Sequence, residues 1–269
     1  MNFTIRPTSE KSHTPLFSLI RFILVFISIS SSIPGLAVGD VSLTPFATYR
    51  SGQFEASASE IVTYDPRSAR VFVTNASNGS IDVLQFSVTS GLTLVSSIPT
   101  PNPVTHVRIW DDGIESHVVA SLLGANTTAP GSVRVYSTSG VLQASYTVGA
   151  FPDMVYITSN GLALTANEGQ PAGGANPQGS VSIINLVTGA IQTVSFTSFN
   201  GQENLLRDQG VRIFPGILAS TDLEPEYIAV SSDNTTAYAI CQEQNSVITI
   251  DIPTATATAA AAAAGQRRR

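Results

Sequence analysis

One six-residue pattern recurs four times along this chain: "GSIDVL" (79–84), "GSVRVY" (131–136), "GSVSII" (179–184) and "NSVITI" (245–250). Each copy is a turn residue, a serine and then an alternating, β-branched run, the signature of a half-buried strand. A pair of strand-like runs precedes each copy: "EIVTYDPRSARVFVTN" (60–75), "HVRIWDDGIESHVVAS" (106–121), "DMVYITSNGLALTAN" (153–167) and "EYIAVSSDNTTAYAIC" (226–241). Within each pair a polar turn ("DPRS", "DDGI", "TSNG", "SSDN") separates the two runs. Such turns reverse the chain and make the runs antiparallel neighbours.

Ile61, Val107, Met154 and Tyr227 open equivalent strands, at spacings of 46, 47 and 73 residues. A period of ~40–50 residues with several strands per unit belongs to propeller blades. The longer third spacing fits one blade plus an insertion from about Phe196 to Asp222. No stretch from Val38 to Pro253 carries a strong helical period. The expected fold is therefore all-β: a partial β-propeller of four blades, each an antiparallel four-stranded sheet, in an incomplete ring. "LTPFATYRSGQF" (43–54) is a candidate outer strand that closes such a ring. Residues 38–253 form the propeller. Residues 254–269, "TATATAAAAAAGQRRR", are of low complexity and are expected to be disordered or helical. An open ring leaves strand edges and blade faces available for self-association.

Charge is scarce. Charged residues make up 12% of the chain, against a usual ~25%, and the net charge is −6. The only lysine is Lys11, and no basic patch lies outside the last three residues. That excludes the electrostatic footprint of a nucleic-acid binder.

The N-terminus reads as a secretory signal over residues 1–37. Arg6, Lys11 and Arg21 supply the basic region, "FILVFISI" (22–29) the apolar region, and Gly35 and Ala37 the small residues for cleavage after Ala37. The alternative is a retained membrane anchor. The apolar run is short for a span, so no transmembrane segment is expected in the mature chain. Export agrees with four sequons in predicted turns, at Asn75, Asn78, Asn126 and Asn234. Cys241 is the only cysteine, so no intrachain disulfide can form. It ends an alternating strand and reads as a buried, inert thiol.

In a chain this poor in charge, "STDLEPEY" (220–227) places Asp222, Glu224 and Glu226 within five residues. The residues just before the inner strands are Glu60, His106, Asp153 and Glu226. The first strand of each blade lines the central channel, so these positions ring one mouth. The loops after the second strands return to that face with Glu168 and Glu243. Close carboxylates repel and call for a cation. Hard oxygen donors favour Ca²⁺ over zinc. The candidate metal ligands are thus Glu60, Asp153, Glu168, Glu226 and Glu243, with His106 ranked behind them and Ca²⁺ as the expected ion. The competing reading is local: each acid caps a turn or pairs with Arg108 or Arg212.

Other chemistry has little support. "NEGQPAGGANPQG" (167–179) lacks the Lys-Ser/Thr of a phosphate loop and reads as a surface loop between strands. There is no G-x-S-x-G, H-E-x-x-H, C-x-x-C or calcium-loop motif. His13, His106 and His117 are the only histidines, so a His-based triad has few candidates. His117 reads as a strand-face residue.

Residues 43–84, 152–171, 179–186 and 210–252 together resemble the choice-of-anchor I family, which includes mesenchyme-specific cell surface glycoprotein-like proteins and relatives labelled alkaline phosphatase-like. The resemblance implies a secreted or surface-attached propeller of the YVTN/quinoprotein-like type. Members of that family are longer, and this chain corresponds to their N-terminal half. It departs from the family at Gln170, where "NEGEP" is common, and at Cys241. The expected function is that of a non-enzymatic extracellular glycoprotein that binds or adheres to an unidentified surface ligand, with calcium stabilising it. The alternatives are a metal-dependent hydrolase acting on phosphoesters and an inactive fragment of one.

Overall fold

The computed structural model describes residues 44–56 and 58–262. The expected signal segment and the end of the tail, residues 263–269, lie outside the described residues.

Four antiparallel sheets follow one another along the chain, each of four strands in sequential order. Blade 1 holds β1 (Val62–Asp65), β2 (Arg70–Asn75), β3 (Ser80–Ser87) and β4 (Gly91–Pro99). Blade 2 holds β5 (Val104–Asp111), β6 (Ser116–Leu122), β7 (Pro130–Ser137) and β8 (Leu142–Ala150). Blade 3 holds β9 (Pro152–Ile157), β10 (Leu162–Asn167), β11 (Ser180–Asn185) and β12 (Ile191–Ser195). Blade 4 holds β13 (Tyr227–Val230), β14 (Thr236–Cys241), β15 (Ser246–Asp251) and β16 (Thr256–Ala262). The ring is open. Among the described residues no helix is long and apolar enough to cross a membrane.

The core lies between blades, and strand alternation builds it. In β6, Val118, Ala120 and Leu122 face blade 1 and pack with Phe72, Ile81 and Val83. The intervening Val119 faces blade 3 and meets Val155, Ala163 and Ile184. In β10 the same alternation sends Leu164 and Ala166 towards Ile228, Ala239 and Ile248 of blade 4. Both faces of a middle blade are buried, so its strands read as nearly continuous apolar runs.

The repeated Gly-Ser has a packing reason. Ser80, Ser180 and Ser246 pair with the last residue of the second strand of their blades, at Asn75, Asn167 and Cys241. The preceding residue either takes a left-handed turn or meets another backbone. Gly79 has φ 58° and its counterpart Asn245 has φ 50°. Gly131 and Gly179 are instead pressed against neighbouring segments.

The structure corrects several expectations. Thr256–Ala262 is neither disordered nor helical but the outer strand β16, paired with β15. Alanine favours helix locally, yet the open edge of β15 offers backbone partners that outweigh the propensity. Residues 44–56 form no strand. Side chains hold the segment on blade 1: Tyr49 Oη donates to Asp82 at 2.8 Å, and the Phe46 and Phe86 rings meet edge-on at 6.2 Å. Burial, followed by the Asp82 carboxylate, pushes the Tyr49 phenol up to about 12. Within the insertion, α1 (Glu203–Asp208) and α2 (Ala219–Asp222) are helices of six and four residues. That is too short for an amphipathic period to show in sequence.

Asn75 is also corrected as a glycan acceptor. Its side chain is buried, caps the turn at Asn78 and donates to Asp82 at 2.9 Å. That enclosed amide has no room for a glycan. Asn78 and Asn126 are exposed, and Asn234 is half-buried. Cys241 is fully buried, and burial pushes its thiol far above the usual range.

A candidate carboxylate site at the channel mouth

The inner strands begin with a displaced residue. In blade 3, Pro152 pairs with Asn167 and Met154 with Ala166, so Asp153 is left over as a bulge. A bulge re-aims a side chain at the rim of a sheet. Glu226 stands at the matching point of blade 4, where its N–H donates to the Ile240 carbonyl at 2.9 Å.

Blade 2 has the same bulge, but at Thr105. Val104 pairs with Leu122 and His106 with Ser121. His106 therefore lies inside β5, not before it, and is corrected as a mouth residue. Its ring is buried with Nδ1 unpartnered. Burial, reinforced by Arg108, pushes its imidazole down to about 4. Thr105 takes the mouth position and bonds Ser121 Oγ at 2.9 Å. Val107 is one residue out of register with Ile61, Met154 and Tyr227.

The remaining acids do gather. Burial raises the Glu168 carboxyl to about 8, with Asp153, Glu224, Glu226 and Glu243 adding repulsion. Burial and the charges of Glu243, Asp222 and Glu226 raise Glu224 to about 7, against a partial offset from Arg212. Glu226 is raised by burial and then by Asp153 and Glu243. Asp153 is raised by burial and by Glu60. Glu168 thus feels Asp153, Glu224, Glu226 and Glu243, while Glu60 acts on Asp153 alone.

Glu224 was not among the expected ligands. It is buried, with its N–H facing Gln244 Oε1 at 3.3 Å. Its only sequence signal was its place in "DLEPEY". A cavity of about 350 Å³ beside it is lined by Gln170, Phe214, Ile217, Glu224 and Glu243. A second, of about 420 Å³, lies between Glu60, Thr105, Phe151 and Asp153. The competing arginine pairings are weak. Arg212 stands 3.9 Å from Glu243, both exposed, and Arg108 reaches Tyr227 Oη at 3.3 Å instead. Among the described residues no three His, Cys, Asp or Glu side chains are close enough to hold a metal ion as they stand.

His117 belongs to a different network. Its ring stacks on Trp110 at 4.7 Å and bonds Gln143 at 2.7 Å and Asp112 at 3.1 Å. Backbone N–H groups at Glu115 and Ile114, together with His117, hold the Asp112 carboxyl down at about 2.

The raised acids set a pH dependence. A carboxyl whose folded pKa exceeds its unfolded value binds more protons when folded, so stability falls as pH rises between the two. For Glu168 that window runs from 4.5 to about 8. Solvent screening discounts the effect for a half-buried group. We expect a melting temperature about 2–4 °C lower at pH 8 than at pH 5, the equivalent of ~1 kcal/mol. Glu168→Gln should flatten that slope in thermal scans. An unchanged slope would remove Glu168 as its source.

Sequential four-stranded sheets with cores between them and acids around an axial mouth define an open β-propeller. The choice-of-anchor I domain model matches residues 60–265, and the chain belongs to that family. No curated protein matches it. A functionally unknown protein from Desulfotomaculum acetoxidans is similar in structure at 14% identity and TM-score 0.52, over 78% of this chain and 57% of that one. An auxiliary nutrient binding protein from Bacteroides thetaiotaomicron is similar at 12% identity and TM-score 0.51, over 79% and 43%. Dihydro-heme d1 dehydrogenase NirN is similar at 12% identity and TM-score 0.50, over 77% and 38%. The chain thus spans well under two thirds of the length of these structures. At such identities the likeness concerns the fold alone.

Proposed function

We propose that this chain is an extracellular, surface-associated binding module of the choice-of-anchor I family, and that its carboxylate mouth receives a cation, with Ca²⁺ as the candidate ion. One observation carries this reading: Glu224 is buried at a cavity of about 350 Å³ that it lines together with Glu243, where burial and the neighbouring carboxylates raise its pKa. Such repulsion is relieved when a cation enters. The donors are hard carboxylate oxygens, which suit Ca²⁺. The long glutamate side chains can swing towards a shared ion, which would order the mouth loops and present them to a ligand.

Calorimetric titration at pH 7.5 tests this. Ca²⁺ should bind in the ~10⁻⁴–10⁻³ M range of extracellular modules and raise the melting temperature. Glu226→Gln should weaken binding roughly tenfold, or ~1.4 kcal/mol. No heat and no thermal shift up to about 10 mM Ca²⁺, well above that range, would refute the cation role.

A second reading, metal-dependent phosphoester hydrolysis, is favoured by the same near-neutral carboxyls, because groups poised near pH 7 suit acid–base work. Turnover of a generic phosphoester that requires Ca²⁺ and is lost in Glu226→Gln would favour it over binding alone.

A further inference from the structure

The cavity beside Glu224 is built from three segments distant in sequence. The loop after β10 brings Gln170 and Asn176, the insertion brings Phe214, Ile217 and Glu224, and the turn between β14 and β15 brings Glu243. Its acids are not equivalent. Asp222 accepts from the Phe214 N–H at 2.6 Å, so that carboxylate fixes the cavity wall. Glu224 is only 6% exposed, yet among the described residues its hydrogen bond is made through its backbone N–H, and none reaches its carboxylate. A buried carboxylate without a donor calls for a cationic partner. Arg212 does not fill that role. It stands 3.9 Å from the exposed Glu243, lies over the Phe214 ring at 5.5 Å from its centroid, and offsets Glu224 only in part.

The size and walls of the cavity choose between cations. A volume of about 350 Å³ lies in the ~300–1,000 Å³ range of organic-ligand sites, far above the ~30 Å³ of one water. No three His, Cys, Asp or Glu side chains among the described residues stand close enough to hold a metal ion. Phe214 and Ile217 line the cavity and are 54% and 38% exposed, carbon surface that a bare ion cannot use.

We propose that this cavity binds a primary alkylammonium group, the chemistry of a lysine side chain or of a free polyamine. The ammonium's three N–H donors meet Glu224, Glu243 and the amide oxygen of Gln170 or Asn176. Its stem covers Phe214 and Ile217. The inference rests on the reading of this chain as a binding module, whose ligand it names, and needs no metal ion.

Calorimetric titration of the full chain with n-butylammonium chloride, at pH 7.5 and constant ionic strength, tests it. Saturable binding is expected with a dissociation constant near ~1 mM, within the ceiling for so small a ligand. Ammonium chloride should bind at least about tenfold more weakly, because each buried methylene is worth roughly fourfold, and n-butanol should not bind. Glu224→Gln should weaken binding roughly tenfold or more. It removes no hydrogen bond from the folded chain, so its melting temperature should not fall. Arg212→Gln should tighten binding roughly two- to fivefold by removing a competing charge, a gain that a loosened fold would not give. Nα-acetyl-lysine methylamide and spermidine represent the two sources of the group, and the tighter of them names the source. No binding of butylammonium up to about 50 mM, where a ~1 mM site is saturated, overturns the proposal. So do equal binding of ammonium, unchanged affinity in Glu224→Gln, no tightening in Arg212→Gln, or both source probes binding more weakly than butylammonium. Heat from Ca²⁺ without heat from butylammonium leaves the ion reading standing and overturns this one; heat from butylammonium alone does the reverse.

Discussion

Gly179→Ala should cost about 3 kcal/mol or more and lower the melting temperature by roughly 6–12 °C. An added Cβ would lie 1.9 Å from the Leu223 carbonyl oxygen and 2.9 Å from Pro225 Cδ. Neither atom belongs to a flexible side chain, so the strand leaving "GSVSII" and the segment entering blade 4 must separate. The Gly179 N–H also donates to the Ser220 carbonyl at 3.1 Å, so separation loses that bond. The segment pushed aside carries Glu224 and Glu226, so the mouth is displaced with it. Gly79→Asn is the control: Gly79 is left-handed with its nearest obstacle at 3.5 Å, and Asn245 already fills the equivalent position at φ 50°. It should cost under ~1 kcal/mol. Thermal denaturation distinguishes them, and a Gly179→Ala protein melting within a degree of wild type would refute the close-approach argument.

Asp65→Ala is the second large effect, a loss of about 2–4 kcal/mol at pH 7. Asp65 ends β1 and is fully buried. It accepts from the N–H groups of Arg67 and Ser68, each at 3.1 Å, and from the Ser68 hydroxyl. It also accepts from Ser116 Oγ of blade 2 at 2.8 Å. One carboxylate thus closes the "DPRS" turn and ties two blades together. Burial opposes its ionisation, but bonds from Ser68, Ser116 and Arg67 outweigh it and hold the carboxyl below the usual range. A depressed folded pKa adds stability above the unfolded value of ~3.9 that is lost as pH falls through the folded one. The gap between wild type and Asp65→Ala in denaturant titrations should therefore narrow at pH 3. A gap of equal size at both pH values would mean that the carboxylate's charge does not matter.

The blades were legible because strand alternation and turn chemistry are local. "GSVRVY" and its three copies fell on β3, β7, β11 and β15, and the "DPRS", "DDGI", "TSNG" and "SSDN" turns joined first to second strands. The site was partly legible. Glu60, Asp153, Glu168, Glu226 and Glu243 were expected at one mouth from strand order; Glu168 feels Asp153, Glu226 and Glu243, whereas Glu60 acts on Asp153 alone. His106 was misplaced because a bulge at Thr105 shifts the register by one residue, and nothing in "PVTHVRI" marks it. Glu224 was passed over because its burial comes from a turn whose path depends on blade 3. The strand in "TATATAAAA" was hidden because alanine carries no period-two signal.

By itself the sequence determined that this chain forms four sheets in order around an axis. Each blade's pairing is encoded in a contiguous stretch, where alternation and turns act between near neighbours. Tertiary structure alone decided which acids meet, which glycines cannot be replaced and which asparagine is enclosed. Those outcomes depend on register and on close approach between segments distant in sequence. A one-residue shift at a bulge, or the position of a single carbonyl oxygen, settles them.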